Sequence, residues 1–439
     1  MATYLNRTPS SASNRKTWTY STWLKRSQIG TGDNVFFGVG AGTVEFGAFF
    51  KSDNILEVYQ YTSGTYNFRY KTNQFFRDPS AWYHIVIACD TTQGSAGDRV
   101  KIYVNGSQIT SFSTSTNPSQ DFDTQVNLNT PHKIGVAQYG SGFYLGYMAQ
   151  TILVDGTALT PTSFGETDST TDIWIPKTFS GSYGTNGFLL AFKNSGALGT
   201  DTSGQSNTFT VNSAGTNAQV VDTPSNNFAT LNSLDTRAGG VNFSLGNMKV
   251  VTSGSNRNYV TQTQAFASGK WYMECRFTAG ASSGYVGFCD MSDLQMTGTS
   301  TLGDLPNEAR VNNDGSYEKN NSTTSGWAGS FTDNDILGLA LDCDNNRFTL
   351  SKNGQWADGS GNYDEANPTA YITYTAGNFM SFAFGEGAGG ATATIEINTG
   401  NAPYTISSGN ADGAGYGNFE YAVPSGYYAL CTENLNTYG

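Results

Sequence analysis

Apolar and polar residues alternate with period two over short stretches of this chain, beginning at Trp18-Thr19-Tyr20-Ser21-Thr22-Trp23-Leu24. Such alternation places successive side chains on opposite faces of a strand. Further strands, alternating or continuously apolar, are expected at 34–39, 43–50, 55–61, 66–72, 84–89, 100–104, 132–136, 146–154 and 187–192. Others follow at 248–251, 259–263, 270–277, 285–288, 336–341, 348–351, 371–374, 380–384 and 393–397. Gly, Asn, Ser and Pro clusters separate these stretches, and no 3.6-residue apolar period persists beyond about two turns. The pattern predicts an all-β protein.

A short plan occurs twice. Trp82-Tyr83 leads into the apolar run Ile85 to Cys89 and Asp90, and Val100 to Val104 then meets Asn105-Gly106. Trp271-Tyr272 leads in again, Leu337 to Leu341 ends at Asp342, and Arg347 to Lys352 meets Asn353-Gly354. Asn-Gly after an alternating strand signals a hairpin, because both residues tolerate the positive φ of a type I′ turn. The repetition predicts two tandem antiparallel β-sandwiches, residues 1–220 and 221–439, with a linker near 215–232. The stretch 307–335, rich in Asn, Ser and Gly, reads as a long polar loop.

Composition agrees with two buried cores. The 439 residues include 27 Phe, 25 Tyr and 7 Trp, while 13% are charged. A disordered chain has few aromatics. The net charge of −12 argues against nucleic acid as a partner, which requires a basic footprint. No run of 18 apolar residues is present, so no membrane insertion is expected, and the first twenty residues lack the apolar core of a secretory signal. The five cysteines show no Cys-x-x-Cys spacing, and four of them sit in strand-like apolar runs and read as buried free thiols of a protein assembled in a reducing compartment. Residues 1–32 carry Arg7, Arg15, Lys16, Lys25 and Arg26 without an acid, and no basic residue follows Lys352. This asymmetry reads either as solvated strand faces or as head-to-tail complementarity between subunits, which salt would weaken.

The residues offer little for catalysis. Paired carboxylates on one strand face, as in a Glu-x-Asp-x-x-Glu run, do not occur, and Glu166-Thr-Asp168 lacks a third acid. His84 and His132 are the only imidazoles, and His84 heads a core strand. Asp333-Asn334-Asp335 and Asp342 to Asn346 hold oxygen ligands without EF-hand spacing, and the second reads as a turn. No catalytic residue, metal site or cofactor is assigned. Binding is better served: sugar rings stack on aromatic side chains while amides and carboxylates bond their hydroxyls. Tyr139, Phe143, Tyr144 and Tyr147 cluster among glycines, and Trp327, Trp356 and Tyr363 border polar loops. Asn312, Asn313 and Tyr317 lie on the 312–327 loop, which with 408–419 forms the preferred contact surface.

Residues 240–400 resemble a SPRY domain through Gly269-Lys-Trp271-Tyr272-Met-Glu274, Gly284-Tyr285-Val286-Gly287-Phe288, Asp335 to Asp342 and Phe348 to Gly354. That family recognises partners through loops at one end of a bent sandwich. Residues 1 to about 200 resemble the concanavalin A-like, laminin G-type jelly roll through Thr17 to Ser27, Trp82 to Ile87 and Ile102 to Gly106. The whole arrangement, with Asn186-Gly187-Phe188 and Thr223 to Asn232, is similar to virion proteins of tailed phages, especially marine ones. The resemblance implies a virion component made in bacterial cytoplasm. It would be a non-enzymatic fibre or surface appendage that contacts other virion proteins and binds host envelope glycans or proteins. A homo-oligomer, by fibre analogy a trimer, follows from the same likeness. The alternative is a capsid decoration or tail adaptor that stabilises neighbouring subunits without touching a host.

Overall fold

Both Asn-Gly pairs turn the chain back on itself. In the computed structural model, φ is 46° at Asn105 and 81° at Gly106, and 49° at Asn353 and 84° at Gly354. Val104 thereby pairs with Ser107, and Lys352 with Gln355. Each asparagine also hooks a neighbouring strand. The His84 amide donates to Asn105 Oδ1 at 2.7 Å while the Asn105 amide donates to the His84 carbonyl at 2.9 Å. The Ile336 amide donates to Asn353 Oδ1 at 2.9 Å, and the Asn353 amide to the Ile336 carbonyl at 2.8 Å.

The structure describes residues 3–213, 215, 218–236, 240–253, 258–292, 302–377, 379–387 and 391–439. The chain divides into two units, Met1–Gln219 and Val220–Gly439. Both are antiparallel sandwiches, so the fold is all-β. In the first, an eight-stranded sheet runs in the order Phe112–Thr116, Thr65–Phe75, Ile55–Thr62, Val44–Phe50, Asn34–Ala41, His132–Ile134, Tyr4–Arg7, Thr210–Asn212. Facing it are six strands in the order Phe188–Leu190, Gly146–Asp155, Thr17–Arg26, Trp82–Asp90, Val100–Val104, Ser107–Gln108. Rings from the two sheets interlock. Trp18 meets Phe46 edge-on at 5.5 Å, and Tyr20 stacks on Phe37 at 4.2 Å. Such aromatic pairs add about 0.5–1.5 kcal/mol beyond the area they bury. The second unit packs a seven-stranded sheet on a ten-stranded one, with Phe288 of the former against Phe348 of the latter at 5.2 Å.

In each unit a further stretch of chain covers the outer face of one sheet. Phe164 and Tyr183, flanking the small sheet Gly165–Thr167 with Trp174–Pro176, bury Val86, Ile152 and Val154 of the six-stranded sheet. Phe419, Tyr427 and Cys431 bury Tyr272, Ala340 and Trp356 of the ten-stranded sheet. Buried Glu274 holds this second cover, accepting the amides of Glu420 at 2.9 Å and Tyr421 at 2.8 Å. The chain ends in the helix Thr432–Tyr438, whose Tyr438 stacks on Tyr428 at 3.7 Å.

The stretch read as a loop from 307 to 335 is instead a meander. Ala309–Asn312, Tyr317–Lys319 and Ser322–Thr324 extend the seven-stranded sheet. Its few apolar residues suffice to anchor it, because Val311, Trp327 and Phe331 lie in the core. The expected linker overlaps, at its last two residues, the edge strand Leu231–Thr236 of the same sheet. The five cysteines are buried, and none forms a disulfide among the described residues. The N-terminal cations do not form a free basic face. Arg26 is fully buried, donating to Asn54 and to the Phe76 carbonyl beneath the Phe50 ring; Arg15 donates to the Thr124 carbonyl at 2.7 Å, and Lys16 pairs with Asp121 at 3.2 Å.

A Cβ on Gly106 would come within 2.9 Å of the Trp174 ring, and one on Gly354 within 2.6 Å of the Tyr421 ring. Positive φ and this contact oppose any side chain together. Gly106→Ala and Gly354→Ala are each expected to lower the unfolding free energy by about 1–3 kcal/mol in urea titrations. Unchanged midpoints would contradict the account of the two corners.

Candidate functional site

Strand parity decides what the eight-stranded sheet shows to solvent. Phe46, Ala48 and Phe50 enter the core, as do Leu56 and Val58 on the next strand. Glu45, Gly47 and Phe49 therefore face outward, opposite Tyr61, Tyr59 and Glu57 in register. Gly47 also pairs with Gly38 of the neighbouring strand. Two glycines side by side leave a floor without side chains. A Cβ on Gly47 would meet the Tyr59 ring at 2.8 Å, and one on Gly38 would meet the Val136 carbonyl at 2.8 Å.

Over this floor opens a cleft of ≈ 290 Å³. One wall is the 137–142 turn, closed by the Ala137 amide donating to the Ser141 carbonyl at 3.0 Å. The turn is fastened to the hairpin opposite: Gln138 Nε2 and Tyr139 Oη each donate to the Gly42 carbonyl at 3.0 Å. The Tyr139 ring remains 62% exposed. Asp33, Glu45 and Ser141 supply the polar lining. Tyr59 donates its hydroxyl to Glu45 Oε1, and burial together with that carboxylate pushes the Tyr59 pKa far above the usual phenol range. Tyr59 thus stays a proton donor at neutral pH. Behind it, buried Glu57 is held by Arg69 at 2.6 Å, Lys51 at 3.7 Å and Lys71 at 3.9 Å. The Arg69 guanidinium covers Tyr66 at 4.1 Å, and Tyr66 meets Tyr59 edge-on at 5.6 Å. The aromatic wall is therefore rigidly backed.

Of the ten residues singled out from sequence, Tyr139 lines this cleft. Phe143 is half-buried against Tyr4 at 6.0 Å. Tyr144 is buried and donates to the Lys25 carbonyl at 3.0 Å; Tyr147 is buried near Trp82 and beneath Lys25. In the second unit Asn312 Nδ2 donates to Ser316 Oγ at 3.1 Å, and the Asn313 carbonyl accepts the Phe331 amide at 2.9 Å. Tyr317 packs edge-on at 5.9 Å against Trp327, which is buried. Trp356 is buried against Tyr272, and half-buried Tyr363 lies under Lys352. These side chains hold the meander and the cover in place, and they do not converge on a common surface. Asp33, Glu45, Tyr59 and Gln138 went unnoticed in the sequence, although alternation over 43–50 and 55–61 places Glu45 and Tyr59 on the same face.

The groups with chemical potential are engaged structurally. Asp168 caps its own turn through the amides of Thr170 and Thr171 at 2.9 and 2.8 Å, and Glu166 pairs with Lys177 at 3.4 Å. Asp342 is shared by Asn345 and Arg347, and Asp333 accepts the Ala281 amide at 2.7 Å. Buried His84 lies 2.8 Å from Ser21 Oγ through Nε2 and accepts the Trp174 indole N–H on Nδ1 at 2.9 Å. Because Nδ1 accepts, Nε2 carries the proton and donates to Ser21. That is the reverse of the tautomer a base for Ser21 requires.

One comparison with known proteins falls on this unit. Residues 2–163 match the family model of the concanavalin A-like lectin/glucanases superfamily. No curated protein matches the chain. Similar solved structures include the SPRY domain of human HERC1, at 11% identity over 38% of this chain and 96% of that one, with a TM-score of 0.31. The TRIM65 PSpry domain shows 15% identity over 39% and 91%, with a TM-score of 0.28. The native heptameric SAP-like pentraxin from Limulus polyphemus shows 18% identity over 36% and 71%, with a TM-score of 0.27.

Burial lowers the pKa of His84 to about 3 and that of His132 to about 4. Both are neutral in the fold and protonate in the unfolded chain below about pH 6.5. Their stabilising contribution is therefore complete above that pH and is lost as pH falls toward the folded-state values. Each histidine is expected to cost about 1.4 kcal/mol per pH unit below 6.5. Hydrogen exchange, corrected for intrinsic rates, is expected to show weaker protection of Thr17–Arg26 and Trp82–Asp90 at pH 5 than at pH 7. Equal protection would contradict two neutral buried imidazoles.

Proposed function

We propose that this chain is a non-enzymatic binding protein that recognises a glycan through the cleft of its first unit. The observation that carries this reading is the Tyr139 ring. It is exposed, yet its hydroxyl is tied to Gly42, beside a glycine floor and the polar groups of Asp33, Glu45 and Gln138. A fixed aromatic plane bordered by hydrogen-bonding groups suits the apolar face and hydroxyl edge of a pyranose. The match of residues 2–163 to a superfamily described by lectins and glucanases supports the same reading.

The resemblance to tailed-phage virion proteins supplies the setting. The chain would be carried on a particle with other virion proteins as a fibre or appendage, in several copies, and would meet a glycan of the host envelope. Head-to-tail charge complementarity between subunits loses support from the internal partners of Arg15, Lys16 and Arg26.

Purified protein is expected to bind host cells or their extracted surface polysaccharide. Tyr139→Ala is expected to weaken binding about tenfold, or about 1.4 kcal/mol, without changing the urea midpoint. Binding indifferent to this change would overturn the cleft as the recognition surface. A decoration or adaptor predicts no such binding.

A further inference from the structure

Most side-chain hydrogen-bond donors around the cleft are committed within the protein. Tyr139 and Gln138 direct theirs to the Gly42 carbonyl, and Tyr59 directs its own to Glu45. The acceptors remain open. Gln138 is 9% exposed, its Nε2 is fixed, and its Oε1 receives no bond from any described residue. Glu45 accepts Tyr59 through Oε1, leaving Oε2 open, and Asp33 accepts only the Ser52 amide, at 3.4 Å. Among the lining side chains, the Ser141 hydroxyl and the second Nε2 hydrogen of Gln138 keep uncommitted protons. The lysines that touch lining residues are engaged, Lys133 with the Gln138 carbonyl at 2.6 Å and Lys51 with Glu57 at 3.7 Å.

From this imbalance we infer that the cleft takes a sugar without negative charge, one that presents hydroxyl or amine donors toward Asp33, Glu45 and Gln138. This rests on the reading of the cleft as a glycan site. An acceptor-lined cleft bonds donors well. A ligand carboxylate or sulfate placed there would lose its water, gain few donors in return and face Glu45 and Asp33. Specificity then arises from what the cleft repels as much as from what it holds.

The test is a glycan array carrying matched neutral, amine-bearing, uronate and sulfated saccharides, probed with the full chain and with Tyr139→Ala and Glu45→Gln variants. The wild-type protein is expected to bind neutral or amine-bearing saccharides, with Tyr139→Ala weakening the signal about tenfold. Uronate and sulfated counterparts are expected to bind about tenfold more weakly or worse. Glu45→Gln, which places an N–H₂ donor at the cleft, is expected to narrow that gap. Tyr139-dependent binding that requires a carboxylate or sulfate would overturn the inference and leave the glycan site standing. An array with no Tyr139-dependent signal would overturn both.

Discussion

The whole architecture depends on one local arrangement made twice: an Asn-Gly corner whose asparagine clasps an adjacent strand through both amide and side chain. In the first unit the clasped residue is His84, in the second Ile336. The glycine is bare on its outer side, and an aromatic ring lies against it, Trp174 in one unit and Tyr421 in the other. Those rings belong to the stretches that cover the six-stranded and ten-stranded sheets. The Trp174 indole then fixes His84, and the amide of Tyr421 meets Glu274, so corner, sheet and cover are joined by directional bonds as well as apolar contact. In the first unit this covering closes one outer face of the sandwich, and the outer face of the eight-stranded sheet carries the cleft.

Much of this was legible from residue order. Alternation at Trp18 to Leu24 and the apolar runs Ile85 to Cys89 and Leu337 to Leu341 marked central strands of both units, the runs because a cover buries their second face as well. The Asn-Gly pairs located two hairpins, because few dipeptides accept positive φ twice in succession. The meander at 309–324 was not legible: its strands are three or four residues long, and its anchors Trp327 and Phe331 lie beyond them.

Aromatic residues beside polar segments were the weakest guide to the site. Trp327, Trp356 and Tyr147 sit next to such segments, yet the burial of large rings draws them inward. Tyr139 differs because its turn is held away from the sheet by bonds to Gly42. Glu45 and Tyr59 were within reach of sequence reasoning through strand parity. Gln138 was not, because its partner carbonyl lies 96 residues earlier in the chain.

The buried thiols carry a consequence for the working life of the molecule. Burial raises the pKa of Cys431 to about 11 and of Cys343 to about 12, and drives Cys89 and Cys275 higher still. Disulfide exchange proceeds through thiolate, which is scarce at such sites. At these four positions a folded copy therefore resists thiol exchange with its neighbours, and its durability rests on packing.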